Sequence, residues 1–202
     1  MDKPVSDIAF TDAVKGWQEK LGSREMFARG RDWPDRVTPD LAAYLAQRDS
    51  FYLATTSSTG HPYIQHRGGP RGLLRVLDDR TLGFADFAGN RQYISAGNLD
   101  GNDRVHLFLT DYANASRVKI WGRGRVIEGD PDLISKLTVP GYKGRPERAF
   151  LITIEAWDQN CPQHLPKLHS VETIRQVTAK LSARIAALEA ENAELKEWLG
   201  KK

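Results

Sequence analysis

Gly89, Asn90, Arg91 and Gln92 stand together just ahead of a segment with helical character. The combination suits an anion: a glycine lets backbone come close, a helix start presents free N–H groups, and an arginine offers a two-pronged fork to phosphate oxygens. Asn90 and Gln92 add neutral donors, although a plain helix cap accounts for the same four residues equally well. Upstream, Tyr63 to Gly69 carries Gln65, His66, Arg67 and Gly68 in a strand-like run. Cys161, His164 and His169 form a C-x2-H-x4-H group. It lacks the fourth ligand and second half-site of a tetrahedral metal centre, so a proline-rich connector is favoured over a metal site or an activated thiol. A phosphate loop ending in Gly-Lys-Ser/Thr, a dinucleotide glycine fingerprint and a nucleophile elbow are all missing from the sequence.

The elements that must hold these residues follow from periodicity and punctuation. Phe10, Val14, Trp17, Leu21 and Phe27 predict one amphipathic helix, with Thr11 and Asp12 at its start. Residues 24–36 read as a linker broken by Gly30 and Pro34, and Thr38-Pro39 opens a short helix bearing Leu41, Tyr44 and Leu45. Strands are expected at 50–57, 62–66, 71–77, 81–87, 104–110, 117–127 and 149–157, with Asp78-Asp79-Arg80 closing a hairpin. Short helices are expected at 92–99 and 130–137. Mostly sequential strands without regular strand–helix alternation predict an antiparallel, closed or half-closed barrel rather than a doubly wound sheet.

Past Pro166 the pattern becomes heptad. Ile185, Asn192 and Leu199 fall at a, and Leu181, Leu188 and Leu195 at d, with Val171, Ile174 and Thr178 continuing the seam upstream. Arg184 and Glu191 at g then face Glu189 and Lys196 at e of a parallel neighbour. The tail reads either as a zipper between chains or as one amphipathic helix docked on its own barrel. The expected organisation is a helix and linker over 1–37, a barrel over 38–166 and a heptad helix over 167–202.

The runs YIQHR, LGFADFAGNRQY and SRVKIWGRGRV, in that order, resemble the pyridoxamine 5'-phosphate oxidase-like family of FMN-binding split barrels, over roughly Leu41 to Trp157. The resemblance implies a mainly β protein with flanking helices: a split β-barrel of the FMN-binding type plus a long C-terminal helix. It also implies FMN at a homodimer interface. The family's phosphate turn, typically Ser-Arg-Lys, matches Asn90, Arg91 and Gln92. Its arginine along the flavin matches Arg67, beside Gln65, His66 and Gly68, and a glutamine from the partner subunit falls near Arg117. Phe84, Phe87 and Trp121 are placed to wall a flavin slot, or else to fill ordinary barrel core. The authentic oxidase ends in an arginine-bearing motif that holds the vitamin's phosphate; nothing like it follows Trp157.

The implied activity is FMN-dependent oxidoreduction of a small molecule, with a reduced nicotinamide as one electron donor. The alternative is a non-catalytic module that holds flavin or haem as a carrier or sensor. No general acid is assigned; His66 is the nearest candidate.

Composition sets bounds on both. With 202 residues, of which 40% are hydrophobic, the chain can bury one substantial core. A net charge of +3 with acids and bases interleaved implies only weak, non-specific attraction to nucleic acid, and the tail lacks the basic arm of a zipper regulator. No apolar run is long enough for a bilayer, the N-terminus lacks a secretory apolar core, and one cysteine excludes an internal disulfide. A cytoplasmic protein is expected.

Overall fold

The computed structural model describes residues 3–29, 32–160 and 163–201. They divide into two units, one made of residues up to 111 with 116–163, the other of 112–115 with residues from 164 onward.

In the first unit, Thr11 caps α1 (Asp12–Lys20) by accepting from Val14 N–H. The expected single helix to Phe27 is interrupted. Gly22 takes φ +74°, while Gly22 and Ser23 N–H groups return to Glu19 and Gln18 carbonyls. This left-handed stop favours glycine and ends the helix before α2 (Arg24–Arg29), which occupies part of the expected linker. Thr38 and Pro39 start α3 (Pro39–Ala46) as expected, burying Leu41 and Leu45.

Seven strands follow: β1 (Ser50–Thr56), β2 (Pro62–Gly68), β3 (Arg75–Val76), β4 (Thr81–Phe87), β5 (Arg104–Asp111), β6 (Ser116–Ile127) and β7 (Pro146–Asn160). They make one sheet in the order β2-β1-β5-β6-β7-β4-β3, every neighbouring pair antiparallel. The expected strand at 71–77 is reduced to two residues because Leu73 N–H turns back to the Pro70 carbonyl. Buried Leu73 and Leu74 enter the core from this irregular segment. The hairpin at Asp78 forms as expected, its carboxylate accepting from Arg80 and Thr81 N–H. Those bonds outweigh the small opposing effect of burial and hold its pKa below the usual carboxylate value.

The sheet is a split barrel: β2 and β3 are its edges in hydrogen bonding, yet it curls until side chains of β1 and β2 meet β4. Phe51 and Phe84 rings are 5.2 Å apart, and Arg67 reaches Asp86 at 2.5 Å. Alternating residues of β1, β5 and β6 point into the interior, where Leu53, Leu107, Leu109 and Ile120 are fully buried. Two helices lie between strands: α4 (Ile94–Gly101), two residues later than expected, and α5 (Pro131–Leu137), capped by Asp130.

The outer face of β6 is covered by the N-terminal segment. Trp33 stacks on Trp121 at 4.9 Å, and Phe10 packs on Trp33 at 5.0 Å.

In the second unit, Ser170 caps α6 (Val171–Gly200), a 30-residue helix with no buried residue. No helix among the described residues is long and apolar enough to cross a membrane.

Candidate functional site

Strand alternation turns Tyr63, Gln65 and Arg67 of β2 to the concave side and leaves Ile64, His66 and Gly68 on the other. Arg67 is largely buried. Its guanidinium lies over the Phe84 and Phe150 rings, at 5.4 and 5.0 Å, and one amino group donates to Asp86. Its buried Nε–H has no hydrogen-bond partner. Asp86 is shared with Arg148 of β7, whose Nε lies 3.4 Å from the second carboxylate oxygen. Burial works against the Arg148 charge, but the bond to Tyr93 and the nearby Asp86 and Glu147 outweigh it and raise its pKa.

β4 runs into the Gly89–Tyr93 turn, which faces these residues. Asn90 Oδ1 accepts from Gln92 N–H at 3.2 Å, closing a local side-chain turn. Arg91 and Tyr93 take φ +57° and +53°, a left-handed backbone that costs non-glycine residues free energy and clusters at ligand clamps. Tyr93 is the N-cap of α4 and makes no side-chain capping bond, so the helix's first N–H groups are not capped from that side chain. Inside the first turn of α4, buried Ser95 donates its hydroxyl to Gln65 Oε1 at 2.9 Å and ties the helix to β2.

These parts enclose one cavity of about 200 Å³. Of the residues expected at the site, Gln65, Arg67, Phe87, Asn90, Arg91 and Gln92 line it together. His66 does not: it faces the opposite side of β2, edge-on to Tyr52 at 5.4 Å. Gly68 shares that side. Trp121 does not line it either: it points to the outer face of β6 between Trp33 and His106. Phe84 belongs to the core beneath Arg67, and Arg117 shares the outer face of β6 with Trp121. Cys161 lies outside the described residues, so the Cys161, His164 and His169 group is not described as a unit.

Sequence reasoning missed Asp86, Tyr93, Ser95, Glu147 and Phe150, which also line the cavity. Asp86 had a signal, since an aspartate inside the strand run TLGFADF goes against strand preference. Ser95 and Glu147 had none.

The donor set is that of an anion clamp beside a cation-bearing wall. The buried Arg67 Nε–H without a partner and the strained turn against an uncapped helix start both fit a phosphorylated, hydrogen-bond-accepting ligand such as FMN. Fold and site together define a split barrel with a cavity suited to an anion. Residues 37–161 match the family model for pyridoxamine 5'-phosphate oxidase, and the chain belongs to that family.

Among solved structures, HupZ of Group A Streptococcus is 17% identical with TM-score 0.50, the match covering 66% of this chain and 99% of that one. A putative pyridoxamine 5'-phosphate oxidase of Lactobacillus delbrueckii is 20% identical with TM-score 0.48, covering 62% and 95%. An FMN-binding protein of Syntrophomonas wolfei is 13% identical with TM-score 0.46, covering 76% and 98%. No curated protein matches the sequence.

Proposed function

We propose that the protein binds FMN in this cavity and acts as a homodimeric oxidoreductase on a small molecule, with reduced nicotinamide as one electron donor. One observation carries the reading: a β2 wall bearing Arg67 and a strained turn bearing Arg91, distant in sequence, line one cavity at the start of α4. Bound FMN supplies the hydride and electron chemistry; the protein binds, orients and tunes it.

Arg91, exposed and without an ion-pair partner among the described residues, takes the phosphate together with the N–H groups of α4. Asn90 and Gln92 stand beside it as neutral donors. Gln65 is held by Ser95, and Arg67 by Asp86, so both reach the ligand from fixed positions. Arg67, its charge offset in part by Asp86, would favour negative charge on a ligand held in the cavity.

The cavity in one chain is below the roughly 300–1,000 Å³ that encloses a drug-sized ligand. A second subunit that completes the enclosure accounts for this.

A non-catalytic flavin carrier is the second reading. It is favoured by the outward orientation of His66, which leaves no histidine among the described residues lining the cavity. The absorption spectrum of the purified protein with added FMN and NADPH or NADH separates the two. Bleaching that recovers in air supports the oxidoreductase, and a stable yellow complex inert to both donors supports the carrier. Absence of FMN fluorescence quenching refutes both.

A further inference from the structure

We infer that α6 pairs with α6 of a second copy of this chain as a parallel, in-register, two-stranded coiled coil. The helix is about 45 Å long at ~1.5 Å per residue, and none of its residues is buried. Its large apolar side chains lie along one stripe: Leu181, Ile185, Leu195 and Leu199 are each more than half exposed, and so are Val177 and Trp198 beside them. Ala183, Ala186, Ala190 and Glu197 occupy the opposite side, good helix formers that offer no second apolar seam. An amphipathic helix of this kind draws most of its stability from burying that stripe.

Three observations choose the occupant. The seam keeps a seven-residue repeat, which suits another helix of the same repeat rather than a flat surface. Its flanks are charged through the middle of the helix, with Arg184 and Glu191 at g and Glu189 and Lys196 at e, while Val177 and Trp198 at g widen the apolar strip towards either end. In a parallel pair Arg184 meets Glu189 of the other copy, and Glu191 meets Lys196, so both contacts are attractive.

Asn192 sets the direction. In a parallel, in-register pair this a-position amide faces its own counterpart and the two can hydrogen-bond. In an antiparallel pair a faces d, and each Asn192 amide is buried against a leucine or isoleucine without a partner, which is costly. The pairing rests on α6 alone and is independent of what the cavity binds.

The test uses the full chain carrying Cys161→Ser, with one new thiol introduced at a time. Leu181→Cys and Leu195→Cys are each expected to give covalent dimer under mild oxidation with oxidised glutathione. Ala190→Cys, on the opposite side, is expected to react at least about tenfold more slowly because its thiols are too far apart. An antiparallel pair brings at most one of the two seam positions onto itself, and a tail docked within its own chain brings neither. Cross-linking at only one site, or at neither, overturns the proposal.

A second variant keeps the net charge. Glu189→Lys with Lys196→Glu makes both g–e′ contacts like-charged, and is expected to lower the Leu195→Cys cross-linking rate at low salt with recovery at high salt. An unchanged rate refutes the parallel register.

Discussion

Removing the Asp86 carboxylate is expected to open the side of the barrel that no backbone hydrogen bond closes. Asp86 sits between Arg67 and Arg148, with side-chain exposures of 14%, 16% and 12%. The Asp86→Ala variant leaves two largely buried guanidinium groups without their shared counter-charge. Breaking a buried pair from one side costs about 3–5 kcal/mol, and the residual exposure favours the lower end, about 3 kcal/mol. At about 2–4 °C per kcal/mol for a domain of this size, the melting temperature falls by about 6–12 °C.

Differential scanning fluorimetry at pH 7 measures it, with two comparisons. Asp86→Asn retains an oxygen that accepts from Arg67 and is expected to lose less. Asp79→Ala removes an exposed partner of Arg36 and is expected to change stability by less than about 1 kcal/mol. Inorganic phosphate is expected to stabilise Asp86→Ala more than the wild type, since an anion then compensates Arg67. A fall under about 2 °C for Asp86→Ala, or a fall equal to that of Asp79→Ala, refutes the idea that this carboxylate ties β2 to β4 and β7.

Arg91→Ala is expected to weaken FMN binding by about 10–100-fold, the loss of one charge-assisted hydrogen-bonding group, while Arg36→Ala leaves it unchanged; equal affinities in a fluorescence titration refute the phosphate assignment. His106, buried first of all and next to Lys119, has its pKa pushed down to about 4 from an ordinary 6.5. The unfolded chain therefore binds the extra proton between these values, and about 3 kcal/mol of stability is lost as pH falls from about 6.5 to about 4. Urea midpoints at pH 7 and pH 4.5 should show a smaller drop for His106→Phe than for the wild type. Gly122→Ala puts a Cβ 2.3 Å from the Thr153 carbonyl oxygen at the β6–β7 irregularity, and is expected to cost at least about 1–3 kcal/mol in a denaturation experiment.

Local chemistry was legible wherever an element carries its own instructions. Thr38-Pro39 and Asp130-Pro131 start helices because a capping side chain precedes a residue already bent for the first turn. Asp78 marks its hairpin because its carboxylate bonds the backbone two and three residues on. The heptad of α6 and the apolar–polar change along β5 are likewise written into neighbouring residues, and from them a mainly β chain with a long terminal helix follows. The grouping of Arg67 with Asn90, Arg91 and Gln92 came from the family resemblance, not from spacing.

What the tertiary structure decided is which side of each strand faces the site. In β2, apolar Ile64 lies outside and polar Gln65 and Arg67 lie inside, the reverse of what hydrophobicity alone prescribes, because this edge strand borders a polar cavity. That phase removes His66 from the cavity, and the same alternation in β6 turns Trp121 outward to Trp33. Asp86, Ser95 and Arg148 gain their roles only where β2, β4, α4 and β7 converge. Capping, turns and heptads are short-range interactions that a sequence displays directly; the ion pair closing the split barrel joins residues whose meeting depends on the curl of the whole sheet.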